Sequence, residues 1–555
     1  MKNELSDFTT RPGLTATPQS EQAHPDQVAN SAGGFSFQVD EWDRLLRFLI
    51  LGTTGGSYYA TAKKLTEDNA KNLLALIEKD PARYIQTIVA VSEAGRAPKN
   101  DQALFALALA TGAADVNTRR AAFSALPLVA RTATHLFQFV GFMQNHRGWG
   151  KQARRGVAAW YEGKDASKLA YQAVKYQQRD GWSHWDVLRL SHPRATTEDH
   201  ALVYDFIRGK LDLDQLTVRS DATADQLALF SKLRANPTPD EVVDIAKTGR
   251  MPWEVFLSEQ RTPAVWRELL RSKAIPLGAL VRQLPTLTNA GVLADLSDLR
   301  VVVDRLRDPE EIRRSRLHPL AVLFAQKTYA MGRSFRGTGT WKPVGPVVDA
   351  LNDAFYLAFG NVEPANKRFG LFLDVSGSMG CPMADTSLTC RDASAAMALV
   401  TAKTELGYHV AGFTSGVRGE WVSKSTGRRS YYGRGIAPLN ITPQQRLDDA
   451  VRAVSGLPFG GTDCALPMLY ALENRMEIDT FVIYTDSETW AGGIHPHEAL
   501  EQYRTKMGIP ARLVVVGMVS NGFTIANPKD NGMLDVVGFD TATPNIISSF
   551  ARGEF

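Results

Sequence analysis

The stretch LFLDVSGSMG, Leu371 to Gly380, decides the fold of the C-terminal part of this chain. Three apolar residues run into an acid, and two serines follow at alternate positions among glycines. Alternate residues of an extended chain share a face. Asp374, Ser376 and Ser378 therefore point one way, and Gly377 and Gly380 let the chain curl so that three oxygens converge. Oxygen-only ligands of low charge suit Mg²⁺, which keeps some of its waters. A polar turn closing a strand is the plainer reading of D-x-S-x-S taken alone.

Two later stretches extend the pattern. Gly460-Gly461-Thr462-Asp463 offers the Thr462 hydroxyl, and FVIYTD, Phe481 to Asp486, is a largely apolar strand ending in an acid. With these parts in this order, the chain resembles the metal-ion-dependent adhesion site of von Willebrand factor A domains. That resemblance implies a bound Mg²⁺ or Mn²⁺. Ser376, Ser378 and Thr462 would hold it directly or nearly so, Asp374 and Asp486 would act largely through water, and one position would be left for an outside acidic ligand. The surrounding periodicity agrees. Strand-like Leu371–Asp374, Tyr408–Phe413, Thr480–Asp486 and Ala511–Val519 alternate with helix-like Asp392–Glu405, Pro443–Val454, Leu466–Arg475 and Pro496–Met507. Such alternation predicts a mostly parallel, Rossmann-like α/β sheet with ligands at the carboxyl ends of its strands.

Upstream, from Val39 to about Phe359, the pattern is helical. Segments such as Asp43–Leu51, Asn69–Glu78, Ala82–Ala94, Thr132–Met143, Ser167–Arg179, Pro252–Glu259 and Pro263–Leu270 are short, and several begin with Pro, which suits a first helical turn. A long series of short paired helices predicts an α-solenoid. No strict repeat period is present, and closure into a ring is not readable from the pattern. Residues 1–35, rich in Ser, Thr, Pro, Gln and Gly, are expected to be a disordered or loosely attached arm. The division is therefore 1–35, a helical domain over 36–359 and the α/β domain over 360–555. RSFRGTGTWKPVGP, Arg333 to Pro346, reads as a linker, and its Arg333, Arg336 and Lys342 could border an opening.

Composition bounds the function. The 555 residues are 44% hydrophobic and 22% charged, ordinary values for a globular protein. No apolar run is long enough to span a membrane, and the N-terminus lacks signal-peptide shape. Three cysteines, Cys381, Cys390 and Cys464, form neither a disulfide framework nor a zinc pattern and fit a reducing compartment, so the cytoplasm is expected. The net charge of +4 is uneven: residues 371–555 carry 15 Lys+Arg against 19 Asp+Glu, and residues 1–370 carry 48 against 40. A basic surplus outside the ion-site domain admits a polyanionic partner, while on charge alone a solvated mixed-charge surface accounts for it more readily.

Three stretches of the helical part bear on that partner. LGTTGGSYY, Leu51 to Tyr59, follows a helix and lacks the lysine of a phosphate loop. RGWGKQARRGVAAWY, Arg147 to Tyr161, places Arg147, Lys151, Arg154 and Arg155 beside two tryptophans. KYQQRDGWSHWDVLRLSH sets Lys175, Arg179, His184, Arg189 and His192 among Tyr176, Trp182 and Trp185. Cations neutralise phosphates and aromatic faces stack unpaired bases, so interleaving the two suits RNA. The alternative is an amphipathic helix packing its apolar residues inward under solvated charges.

These stretches, in this order and joined to a von Willebrand factor A domain, are similar to the Ro autoantigen, or TROVE-domain, family in its bacterial form. The resemblance covers roughly residues 36–555, and its most specific part is GWSHxDxLRLSHP. It implies HEAT-like helical repeats in a monomeric ring closed by the A domain. It also implies Y RNA on the basic outer surface and single-stranded ends of misfolded or structured RNA in the central hole. An exoribonuclease such as polynucleotide phosphorylase is the implied partner in RNA quality control. By motif match Lys175, Arg179 and His192 fall at positions the family uses for Y RNA. Where the family often has a basic residue after the first His of GWSH, this chain has Trp185.

An enzyme is the chief rival. Asp374 as a phosphoryl-accepting nucleophile would usually need a second nearby acid and a Lys, and Ser376 and Ser378 lack the G-x-S-x-G frame of a hydrolase. His495-Pro496-His497 reads as an exposed loop more readily than as a metal site. A metal-dependent protein-interaction scaffold without direct RNA function is the other alternative. The sequence thus predicts a noncatalytic RNA-binding ring with an ion site.

Overall fold

The computed structural model describes residues 16–53, 62–211, 221–334, 337–360, 362–383, 388–415, 419–422, 429–432, 435–455 and 460–554. Most of LGTTGGSYY, the first part of the expected arm and Arg336 lie outside the described residues.

The helical part opens with α1 (Glu41–Leu51), α2 (Ala62–Lys79), α3 (Pro81–Ala94), α4 (Asp101–Ala110), α5 (Val116–Val129), α6 (Ala133–His146), α7 (Lys151–Glu162), α8 (Ala166–Lys175), α9 (His184–Ser191) and α10 (Glu198–Ile207). It continues through α11 (Ala222–Arg234), α12 (Pro239–Lys247), α13 (Pro263–Arg271), α14 (Leu277–Asn289), α15 (Leu296–Arg307), α16 (Pro309–Ser315), α17 (Pro319–Met331) and α18 (Gly345–Leu357). Local signals start many of them. Asp80, Asp115, Thr132, Asp165 and Thr197 each accept a backbone N–H of the following first turn, which satisfies donors that a helix start leaves unpaired. Helices pack on alternate neighbours: α3, α5, α7 and α9 form one row, and α4 packs on α6 behind it. This is the two-layer stacking of a solenoid, in which each pair buries its apolar face against the next.

Two expected helices differ. Ser167–Arg179 stops at Lys175, because Gln178–Arg179 (β3) and Trp182–Ser183 (β4) form a hairpin around Asp180 and Gly181, both at positive φ. Pro252–Glu259 is two 3-10 turns, Trp253–Val255 and Ser258–Gln260, rather than one helix.

The C-terminal domain is a six-stranded sheet in the order β13 (Met533–Val537), β11 (Arg512–Gly517), β10 (Thr480–Thr485), β5 (Arg368–Asp374), β6 (Gly407–Phe413) and β9 (Ile436–Pro438), antiparallel only at β9. The hairpin β7 (Gly419–Val422) and β8 (Arg429–Tyr432) stands apart from it. The domain's helices are α19 (Cys390–Thr404), α20 (Leu447–Ser455), α21 (Leu466–Glu473), α22 (Pro496–Met507) and α23 (Thr543–Arg552). Every residue of β10 is buried, as expected for a central parallel strand covered on both faces.

Residues 16–35 are not a loose arm. Gln27–Ala29 (β1) pairs with Phe35–Gln38 (β2), and β2 pairs with Phe523–Thr524 (β12) of the α/β domain. Gln19 is fully buried; its amide donates to Asp463 Oδ1 (2.7 Å) and the Ile494 carbonyl (2.9 Å) and accepts from the Gly492 N–H and the Thr489 hydroxyl. Composition misleads here because an amide that ties one loop to another looks the same in sequence as one in water.

The helical array meets itself as well as the sheet. At the end of α3 the Glu93 carbonyl accepts from Arg316 Nε (2.7 Å), and the Arg96 carbonyl lies 2.9 Å from His318 Nε2. Arg96 also pairs with Asp540 of the α/β domain. Elsewhere Arg47 of α1 pairs with Asp535, and Lys327 of α17 with Asp392 (2.7 Å). The early and late repeats therefore touch each other, and both touch the sheet domain.

Candidate metal site and nucleic-acid interface

Asp374, Ser376, Ser378 and Asp486 come together at the carboxyl ends of β5 and β10, which are neighbours in the sheet, and the loop carrying Thr462 reaches them through the Gly460 carbonyl, which accepts the Gly377 N–H (3.3 Å). Asp374 is the last residue of β5, and Ser376 and Ser378 follow in and beside a 3-10 turn over Gly377–Gly380. The two hydroxyls thus converge through a right-handed turn and not through strand alternation, and neither Gly377 nor Gly380 needs a positive φ. Ser376 Oγ lies 3.0 Å from Ser378 Oγ. Asp374 accepts from the Ser376 N–H (2.9 Å) and the Thr485 hydroxyl (2.7 Å). Asp374, Ser376, Ser378, Thr462 and Asp486 are all at most 2% exposed.

The residues fit a small hard cation. Among the described residues Thr462 Oγ1 is buried without a hydrogen-bond partner, which costs free energy unless something else is bound there. Burial, and then the neighbouring Asp486 carboxylate, push Asp374 upward, and burial pushes Asp486 the same way. A cation between them would relieve both. Among the described residues no group of three His, Cys, Asp or Glu side chains could hold a metal; this site is built mainly of hydroxyls. Buried Arg391 of α19 anchors the loop by donating to the Val375 (2.6 Å) and Ser376 (3.2 Å) carbonyls.

His495 and His497 do not lie in an exposed loop. His495 is fully buried at the start of α22, and its Nε2 lies 2.8 Å from the Glu21 carbonyl.

The expected RNA-binding residues fall into two groups. Lys151, Arg154, Arg155, Arg179, Arg189 and His192 are exposed. None of those five Lys and Arg side chains pairs with a carboxylate among the described residues. They stand on α7, on α9 with its C-terminal cap, and on the β3–β4 hairpin. Trp185, 46% exposed, is four residues before Arg189 and so on the same helix face. Arg120 of α5, which sequence reasoning passed over, joins them. It is exposed and lines a groove of ≈ 550 Å³ between α5 and α7 together with Lys151, Gln152 and Arg155. The signal was present in Arg119-Arg120, directly before the apolar face of α5.

The other group is held by the protein. His184 is 3% exposed, lies 2.9 Å from the Tyr161 hydroxyl, and packs edge-on to Phe137. Burial lowers its pKa to about 4. It is a core histidine, because the helix that presents Arg189 outward turns residue 184 inward. In the same motif Ser183 and Asp186 are a reciprocal cap of α9. Arg147 donates to the Thr111 carbonyl (2.6 Å) and covers the Phe123 ring. The Lys175 side chain is 9% exposed and lies 3.3 Å from Glu254. Burial opposes its charge, but Tyr171, Tyr176 and Glu254 outweigh it, and the net shift is upward.

A row of stacked helices carrying exposed cations with no carboxylate partner among the described residues, joined to an A-type α/β domain with a hydroxyl-rich candidate ion site, defines the class. A TROVE-domain model matches residues 28–231 and 246–330, and a Ro60 von Willebrand factor A domain model matches residues 368–551. The chain belongs to the Ro60 family of TROVE-domain proteins. It is 42% identical over 544 residues to RNA-binding protein RO60 of Deinococcus radiodurans, covering 97% of each chain. It is 33% identical to RNA-binding protein RO60 of Caenorhabditis elegans, over 97% of this chain and 92% of that one. The crystal structure of the D. radiodurans RO (RSR) protein superposes with a TM-score of 0.67 at 41% identity, covering 93% of this chain and 100% of that one.

Proposed function

We propose that the protein is a noncatalytic, monomeric RNA-binding ring of the cytoplasm. A Y-class small noncoding RNA lies along the α5–α7–α9 face, and single-stranded ends of misfolded or structured RNA enter the opening enclosed by the array. An exoribonuclease such as polynucleotide phosphorylase does any cutting. The observation that carries this reading is the set of exposed cations without carboxylate partners among the described residues on the stacked row α5, α7 and α9: Arg120, Lys151, Arg154, Arg155 and Arg189, with Arg179 on the adjoining hairpin. A phosphate backbone supplies the missing counter-charges, and Trp185 offers a face on which an unpaired base stacks. Relatives named RNA-binding proteins support the same reading.

The ion site serves a different partner. Ser376, Ser378 and Thr462, supported by Asp374 and Asp486, would hold Mg²⁺ or Mn²⁺. When bound, the ion supplies a positive centre that an acidic side chain of a protein partner completes.

The test is a salt titration of binding to a stem-loop RNA. In Arg154→Ala/Arg155→Ala the slope of log affinity against log salt should fall by about 1.4 to 1.8, from about 0.7 to 0.9 per phosphate contact. An unchanged slope would remove α7 from the interface. A protein that binds Mn²⁺ but no RNA would leave the scaffold reading standing.

A further inference from the structure

We propose that Cys381 and Cys390 are an oxidisable dithiol, which closes reversibly to a disulfide and reshapes the loop carrying Ser376 and Ser378. Both are free thiols, with their sulfurs 3.3 Å apart. They face each other across a small antiparallel turn: the Cys390 N–H donates to the Cys381 carbonyl (3.0 Å), Pro382 bridges Thr389, and the Met383 N–H donates to the Leu388 carbonyl (2.8 Å). A disulfide needs its sulfurs at about 2.05 Å, so the two sulfurs must close by about an ångström. The backbone pairing already fixes their facing arrangement.

Access sets the order of events. Cys381 is partly exposed and Cys390 is 1% exposed, so an oxidant of the hydroperoxide class meets Cys381 first. The Cys381 sulfur attacks one peroxide oxygen, the O–O bond breaks, and a sulfenic acid forms as water or an alcohol leaves. The Cys390 sulfur then attacks the sulfenic sulfur, the S–S bond forms, the S–O bond breaks, and the hydroxyl departs as water with the remaining proton. Two electrons pass from the thiols to the peroxide. A small thiol reverses the reaction by exchange.

The pair is coupled to the ion site at both ends. The Cys381 N–H donates to the Ser378 carbonyl (3.2 Å). Cys390 precedes Arg391, whose guanidinium holds the carbonyls of Val375 and Ser376. A shift of about an ångström is large for Mg²⁺, which demands near-ideal octahedral geometry at about 2.0–2.1 Å. Closing the disulfide therefore weakens ion binding; this half rests on the ion-site reading proposed above.

Purified protein is treated with hydrogen peroxide and then with dithiothreitol. Mass spectrometry should find Cys381 linked to Cys390 while Cys464, the third cysteine, stays free. Hydrogen exchange of metal-free protein over residues 375–381 should differ between the oxidised and reduced forms. Mn²⁺ affinity should fall at least about tenfold on oxidation, in the range that altered ligand support costs other metal sites, and recover on reduction. Cys381→Ser and, separately, Cys390→Ala should abolish all three responses. Absence of the cross-link, or a complete cross-link with unchanged exchange over 375–381, overturns the proposal. Reduced protein that fails to bind Mn²⁺ overturns the ion-site reading and with it the affinity half, while the cross-link and exchange still decide the dithiol.

Discussion

Lys175 and Arg179 stand four apart in sequence and behave differently. Arg179 is exposed, with its guanidinium donating, among the described residues, only to the neighbouring Gln178 carbonyl (2.6 Å). Lys175 is enclosed against Glu254 and two tyrosine rings. Lys175→Ala should therefore cost about 1–3 kcal/mol of stability, between the limits for surface and buried pairs. Arg179→Ala should cost no more than about 0.5 kcal/mol but remove about 0.7 to 0.9 from the salt slope of RNA binding. Denaturant unfolding and salt titration of both variants check this; the reverse order would show that Lys175 is the exposed contact. The candidate ion ligands Asp374, Ser376, Ser378 and Asp486 stand out in the sequence because each ends or follows an apolar strand, and Thr462 because it follows Gly460-Gly461. His184 does not. A histidine three residues from a buried valine and one from an exposed tryptophan fits either face, and only the reciprocal Ser183–Asp186 cap fixes which way α9 turns.

The β3–β4 hairpin and the N-terminal strands mark where sequence periodicity ran out. Asp180-Gly181 is a known two-residue turn pair, and both residues take the positive φ such a turn needs, yet strands of two residues are too short to show a period. Besides buried Phe37, amides and backbone groups hold the β1–β2 segment: Asn30 Nδ2 donates to the Thr489 carbonyl (2.8 Å) and Ser36 to the Ser487 carbonyl (2.9 Å). Its fit is close at Gly34, where an added Cβ would fall 2.1 Å from the Thr489 carbonyl oxygen. Gly34→Ala should destabilise the protein by about 1–3 kcal/mol, as overpacking does, and raise hydrogen exchange over residues 487–492. Gly493→Ala, with nothing within 4 Å of its added Cβ, serves as the comparison. Equal behaviour of the two variants would mean that the segment is not seated on this loop.

The contact between the early and late repeats includes a neutral histidine. His318 is 4% exposed, and its Nδ1 accepts the Leu320 N–H (3.2 Å) while its Nε2 faces the Arg96 carbonyl. Those partners require a proton on Nε2 and none on Nδ1. Burial lowers its pKa from 6.5 to about 4, with the Arg96 carbonyl opposing the shift. Because the folded value lies below the unfolded one, its contribution is fully present above about pH 6.5 and is lost as pH falls toward about 4, up to about 3 kcal/mol in all. Hydrogen exchange over 93–96 and 316–320, corrected for intrinsic rates, should rise across that window; a flat profile would place the acid-sensitive contact elsewhere. Helical repeats were readable from Pro, Asp and Thr at helix starts, but the contact between early and late repeats was not, since Arg316 and the Glu93 carbonyl are 223 residues apart and no local pattern links them. The seating of the N-terminal segment on the C-terminal domain also sets a timetable. Ser36 bonds to a carbonyl 451 residues later. At roughly 5–20 residues per second of synthesis, that partner is made about 20 to 90 s after the segment itself. For that interval every new molecule carries a strand edge with nothing to pair with, open to a neighbouring chain until its own partner is made.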